Sequence, residues 1–136
     1  KYHMYGSNKY LEKHGYPKTV NDLNKHKFIS YGKGAPSPVF NPDWALKLGM
    51  KDNKKRRSIM KVNSIMGLLL AVESGVGIAA LPDYLVSLSS NLIKLIPSEE
   101  GPITEAYFVY PESLKNVARV QAFRNFLYSK ISEWKF

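Results

Sequence analysis

Apolar positions along this chain follow two rhythms, short alternating or continuous runs and steps of three and four. The rhythm predicts which segments are strands and which are helices. Tyr2 to Tyr5 is a β-rich aromatic run that stops at Gly6. Ser7 then supplies an oxygen able to cap a short helix through Asn8, Tyr10, Leu11 and His14, with Gly15 as its left-handed terminator. Thr19 caps a further helical turn ending at Asn24, ahead of a strand at Lys27 to Tyr31. From Gly32 to Pro42 the residues are those of a loop. Asn41, with Pro42 at the first helical position, opens a helix through Trp44, Ala45 and Leu48 that Gly49 closes.

Arg57 to Val62 alternates polar and apolar side chains, as a strand does. Asn63 and Ser64 then precede Ile65, Leu68, Leu69 and Val72, which share one helical face. Gly75 and Gly77 end that helix, and Ile78 to Leu81 is a continuous apolar run, read as a strand buried on both faces and stopped by Pro82. Asp83 is read as the cap of a short helix through Tyr84, Leu85 and Val86. A strand at Leu92 to Ile96, a polar turn from Glu99 to Pro102 and an aromatic, β-branched strand at Ala106 to Tyr110 follow. Val117, Val120, Phe123, Leu127, Ile131 and Trp134 recur at helical steps and predict an amphipathic terminal helix that needs a partner surface. Strands alternate with helices, so the expected class is α/β, a mostly parallel sheet flanked by crossover helices.

Composition narrows this picture. With 136 residues, 44% of them hydrophobic, the chain suits one compact domain. It has no cysteine, which excludes disulfides, thiolate zinc sites and cysteine nucleophiles, and fits a reducing cytoplasm. The longest apolar stretch, Ile65 to Leu81, is broken by Glu73 and glycines and is too interrupted to span a bilayer. The sequence starts at Lys1 without a methionine or a signal pattern, so it reads as a trimmed piece. The formal charge of +9 is spread along the chain, with one cluster at Lys47, Lys51, Lys54, Lys55, Arg56 and Arg57. No aromatic residue interleaves that cluster, so it reads as a solvated linker, and any DNA binding by this piece should be weak and salt-sensitive.

Open α/β sheets bind ligands beyond the carboxyl ends of strands, where helix amino ends offer unpaired N–H groups. Three such ends qualify, and they make Ser30, Tyr31, Gly32, Asn63, Ser64, Ile65 and Pro82 the candidate ligand-binding residues. Ser64 can serve as a cap, or present its hydroxyl and backbone N–H to an anion. The Gly32 and Gly34 segment lacks the residues of a phosphate loop and runs into Pro38. His3, His14 and His26 show no metal spacing and no evident carboxylate partner, and read as surface or hinge residues. No Gly-x-Ser-x-Gly elbow occurs, and Asp22, Asp43, Asp52 and Glu73 form no acid/base pair. Neither catalysis, a metal nor a cofactor is expected, which disfavours a small transferase or hydrolase.

Val62-Asn63-Ser64, Leu68 to Val72, and the run from Gly75-Val76-Gly77-Ile78 through Leu81-Pro82-Asp83-Tyr84-Leu85 resemble the most recognisable segment of the LysR-type effector-binding domain. Tyr10 to Gly15, Asp22-Leu23, His26, Val109-Tyr110-Pro111 and Val120 to Leu127 fall in that family's order, so the resemblance covers nearly the whole chain. It implies one lobe of a periplasmic-binding-protein-like, two-lobed domain plus the last strand and helix of the other lobe. Residues 5–105 would form the second lobe, 1–4 and 106–110 the lobe-crossing strands, and 117–134 the terminal helix of the first lobe. The implied function is that of a bacterial transcription regulator, a ligand sensor and not an enzyme, which binds a small polar or anionic metabolite between its lobes. The resemblance further implies a homodimer or homotetramer in the cytoplasm, without membrane contact, that reaches DNA through a winged helix-turn-helix this sequence does not contain. The solute-binding lobe of an extracytoplasmic transport receptor shares the architecture and is the alternative.

Overall fold

The computed structural model describes residues 1–32, 41, 43–52, 54–87 and 91–133. The interior of the expected loop, Pro42 and Trp134 lie outside those residues. The chain forms two compact units, residues 1–104 and 105–136.

The first unit opens with β1 (Tyr2–Ser7), which is buried along its whole length. Ser7 ends the strand and caps α1 (Asn8–His14), its Oγ accepting from Tyr10 N. Gly15 closes α1 at φ 86°, a conformation that favours glycine. Thr19 and Asp22 form a reciprocal capping box over a 3-10 turn, Val20–Lys25, so that segment is a 3-10 helix and its own local hydrogen bonds fix it. Then come β2 (Phe28–Tyr31), α2 (Trp44–Lys47), β3 (Ser58–Val62), α3 (Ile65–Glu73), β4 (Ala79–Pro82), α4 (Asp83–Val86) and β5 (Leu92–Leu95).

The α/β class stands, but the expected mostly parallel sheet is corrected. β1 lies between β4 and β5 and runs antiparallel to both, with Tyr2 opposite Pro82 and Ser7 opposite Leu92. Among the described residues only β2 and β3 form a parallel pair, and a parallel bridge from Phe28 to Ile78 brings β2 beside the start of β4. Alternation predicts a parallel crossover correctly where a helix carries the chain over the sheet, as α3 does from β3 to β4 on the two sides of β2. It is blind to a strand inserted from the start of the chain, and β1 is that strand.

Two apolar clusters fill the two sides of the sheet. Leu68, Leu69, Ala71 and Val72 of α3 pack with Ile29, Leu81 and Val86 on one side. Met4, Tyr10, Leu11, Leu23, Phe28, Leu46 and Ile78 pack on the other. Each fully buried Leu or Phe contributes roughly 1.5–3 kcal/mol by leaving water, so these clusters set the register that places the site residues.

Two polar readings are also corrected. Asp83 does not cap α4, whose N-cap is Pro82 with no side-chain cap. His3 is not at the surface: it is 4% exposed, and its Nδ1 lies 2.8 Å from Asp83 Oδ1. The Tyr5 hydroxyl donates to the same oxygen at 2.7 Å, and Lys94 Nζ lies 3.5 Å from it. Burial alone pushes the Asp83 carboxyl up, but the Tyr5 and His3 hydrogen bonds with the nearby His3 and Lys94 charges hold it below its ordinary range.

His26 is half-buried, and its Nδ1 has no hydrogen-bond partner among the described residues. Burial first, and repulsion from His14 second, lower its pKa from the ordinary 6.5. The unfolded chain therefore takes up this proton more readily. Stability from neutral His26 is whole above the unfolded value and is lost as pH falls through the depressed folded one. His26→Phe, which keeps a ring beside Tyr10, should flatten the decline in stability between neutral and mildly acidic pH, measured by urea unfolding. An unchanged acid slope would remove His26 from this role.

In the second unit a 3-10 turn, Glu112–Leu114, precedes α5 (Ala118–Glu133). The expected strand at Ala106 to Tyr110 is not formed. A strand needs a ladder partner, and no described segment pairs with it; Phe108 instead sets its ring edge-on to Phe123, centroids 5.7 Å apart. Along α5, Phe123, Phe126 and Ile131 are all more than half exposed.

Candidate functional site

The ends of β2 and β3 are tied together. Gly32 N donates to Val62 O at 2.6 Å, and the Tyr31 hydroxyl donates to Asn63 O at 2.9 Å. The next residues start α3, whose N-cap Ser64 accepts from Gly67 N at 3.4 Å. The Ser64 hydroxyl is thus engaged in capping, the plainer of its two sequence readings.

Ser30, Tyr31 and Ile65 come together on one slot; Gly32, Asn63, Ser64 and Pro82 do not line it. The slot has an apolar wall of Ile29, Leu46 and Leu68 and a free volume of about 30 Å³. That is room for about two waters, and a metabolite would need more. Ser30 is one of its polar points, with Tyr2, Tyr31 and Asn41. Ser30 is 7% exposed, and its hydroxyl, which makes no hydrogen bond among the described residues, stays accessible to water or a ligand.

Sequence reasoning missed Tyr2, Trp44 and Pro102, which also line the slot. Gly101 explains how they meet. Its N–H donates to Tyr2 O at 2.8 Å, and a Cβ there would lie 2.9 Å from the Trp44 ring. Only glycine lets this segment close over Trp44 and bring Pro102 to the rim. Burial raises the pKa of the Tyr2 hydroxyl, partly offset by a hydrogen bond with Thr104, so it stays a neutral donor.

Beside the slot, and sharing Ser30, Tyr31 and Leu46 with it, lies a polar groove of about 420 Å³. Its remaining walls are Asp43, Lys55, Arg56, Arg57, Ser58 and Lys61. Of the cluster expected to be a solvated linker, Lys55, Arg56 and Arg57 line this concavity; Lys47, Lys51 and Lys54 do not. Among the described residues no group of three or more His, Asp or Glu is placed to hold a metal, and no helix is long and apolar enough to cross a membrane.

An HTH-type transcriptional regulator of Haemophilus influenzae, described as uncharacterized, is 32% identical over 116 residues, which is 80% of this chain and 38% of that relative. The regulatory domain of CrgA, a LysR-type transcriptional regulator from Neisseria meningitidis, has a similar fold, with a TM-score of 0.69 at 22% identity over 96% of this chain and 64% of that one. The regulatory domain of AphB from Vibrio vulnificus matches 71% of this chain and 48% of its own length, with a TM-score of 0.51 at 17% identity. At such identities the two structures speak for the fold. The model of the LysR substrate binding domain matches residues 1–131. With a match running almost from end to end, the chain belongs to the LysR substrate-binding domain family.

Proposed function

We propose that this chain is the effector-sensing part of a bacterial LysR-type DNA-binding transcription regulator, and that a small polar or anionic metabolite binds at the Ser30-Tyr31 end of β2. The observation that carries this is the Ser30 hydroxyl, which makes no hydrogen bond among the described residues and lies, on an otherwise buried residue, at the wall shared by slot and groove. A ligand group accepting or donating there would gain a hydrogen bond the free protein does not make. In this reading the chain senses and does not turn over its ligand.

The complete protein would be a cytoplasmic homodimer or homotetramer that reaches DNA through a winged helix-turn-helix outside this chain. Its ligand would sit between two lobes and prefer one arrangement of them by differential contacts. Residues 1–4 and 106–110 would cross between lobes. α5 would belong to the first lobe, which fits the exposed Phe123 and Ile131.

The test is a thermal-shift screen of the full regulator against small carboxylates, amino acids and inorganic anions. A ligand at a hundredfold excess over its Kd stabilises the native state by about 2.7 kcal/mol, a rise of several degrees. Ser30→Ala should weaken a hit roughly tenfold. Ser64→Ala is the poorer probe, because losing that cap costs about 1 kcal/mol of stability by itself. No stabilising ligand, or one indifferent to Ser30→Ala, would defeat the proposal.

A further inference from the structure

The groove beside the slot has a charge pattern the effector reading alone does not require. It holds Lys55, Arg56, Arg57 and Lys61 against the single carboxylate of Asp43. Two of these cations are already employed. Arg56 donates to Asn24 Oδ1 at 2.8 Å, Leu48 O at 2.6 Å and Val20 O at 3.2 Å, with its guanidinium over the Phe28 ring. Arg56 therefore holds the segment after α2 against the 3-10 turn and β2. Lys55 pairs with Asp43 at 2.9 Å.

Arg57 and Lys61 have no hydrogen bond or ion pair among the described residues. Both line the groove. Ser30 and Lys61 are partners across the parallel β2–β3 pair, so their side chains project from the same face. The register shift between Phe28 and Ile29 sets this pairing; without it Ser30 would meet a different residue of β3. One concavity thus holds an accessible hydroxyl and two cations that make no bond among the described residues, with Lys55 and Asp43 also in its wall.

Building on the effector reading, we infer that the ligand is a small organic or inorganic polyanion, carrying two or more negative charges on oxygen, whose charged groups lie against Arg57 and Lys61 while one oxygen meets Ser30. A singly charged ligand would leave one of the two cations unanswered. Like charges gathered in a concave wall also focus the local potential and raise the encounter rate of an anion. A concave groove of about 420 Å³ is of the size that takes a small molecule.

Titration of the full regulator with citrate, succinate and inorganic phosphate, against acetate and sodium chloride at matched ionic strength, tests this. At least one polyanion should raise the melting temperature where acetate and chloride do not, and which one does separates a polycarboxylate from a phosphate ligand. Arg57→Gln and Lys61→Gln, both exposed and without a structural partner, should each weaken that binding about tenfold or more while leaving the unliganded melting temperature unchanged. A stabilising ligand that is neutral or singly charged, lost with Ser30→Ala but indifferent to the two Gln variants, would overturn the polyanion inference and leave the sensor reading standing. Polyanion binding lost with the Gln variants but untouched by Ser30→Ala would keep the cationic site and sink the Ser30 reading. Shifts matched by sodium chloride, or a phenotype of the Gln variants confined to duplex DNA binding, would overturn the inference outright.

Discussion

Replacing Asp83 by Ala is expected to cost about 3–5 kcal/mol of folding stability, the range found when one partner of a buried charged pair is removed. Its Oδ1 accepts from His3 and from the Tyr5 hydroxyl and faces Lys94, so one atom joins β1, the start of α4 and β5. Alanine would leave a buried imidazole N–H and a buried phenol without an acceptor, and each such orphan costs about 1–3 kcal/mol. Tyr5→Phe removes one donor together with its need for an acceptor and should cost only about 1 kcal/mol. In the Asp83→Ala background the same change should cost less still, because the hydroxyl is already stranded there. The sign of the pH dependence follows from the depressed Asp83 pKa. Its contribution is present above the unfolded carboxyl value and is lost as pH falls through the folded one, so the gap between wild type and Asp83→Ala should hold at neutral pH and close only in strong acid. Urea unfolding at several pH values checks both points. A loss under about 1 kcal/mol for Asp83→Ala would show that the cluster is solvated and not structural.

Asp83 also shows where local reading stops. An aspartate at the first turn of a short helix is a reasonable cap by spacing, and its partner His3 lies 80 positions away, beyond any window that periodicity can survey. The same limit misplaced the strand direction. Tyr2 to Tyr5 was legible as a strand, but not that it would lie between β4 and β5 and oppose both. Three caps were legible, since Ser7, Thr19 and Ser64 all accept from the backbone they were expected to cap, whereas α2 starts after Asp43, without a side-chain cap, and not at the expected Asn41. The site was legible in part for the same reason. Ser30, Tyr31 and Ile65 follow from strand ends feeding a helix. Tyr2, Trp44 and Pro102 meet them only because Gly101 permits a close approach that no spacing announces. Lys61 stands opposite Ser30 only through the shifted register of β2 on β3, which no spacing announces.

Gly77→Ala is expected to cost about 3 kcal/mol, the upper part of the range for overpacking a closed contact. A Cβ at residue 77 would lie 2.4 Å from Lys27 O, 3.2 Å from its carbonyl carbon and 3.3 Å from Ile29 Cγ1. Two of those atoms are backbone, which cannot rotate aside. The Lys27 carbonyl accepts from Ile78 N at 2.8 Å, and Ile29 N donates to Ile78 O at 2.9 Å. These bonds join the β2–β3 pair to the antiparallel sheet, so relieving the clash means parting the two. Gly67, inside α3, is the contrasting case. Its nearest neighbour to an added Cβ is Ser64 Cβ at an ordinary 3.7 Å, and alanine there should stabilise the helix by roughly 0.5–1 kcal/mol. Opposite signs for one chemical change, measured by urea unfolding, would locate the constraint in the β2–β4 seam and not in glycine content. The seam also reaches the site, since Ile29 and Ala80 line the slot from its two sides. Whatever chain survives Gly77→Ala should therefore bind its ligand more weakly than Ser30→Ala does, because parting the strands displaces the slot's wall along with the Ser30 hydroxyl. Equal stability for wild type and Gly77→Ala would mean that β2 and β4 are not held at this distance.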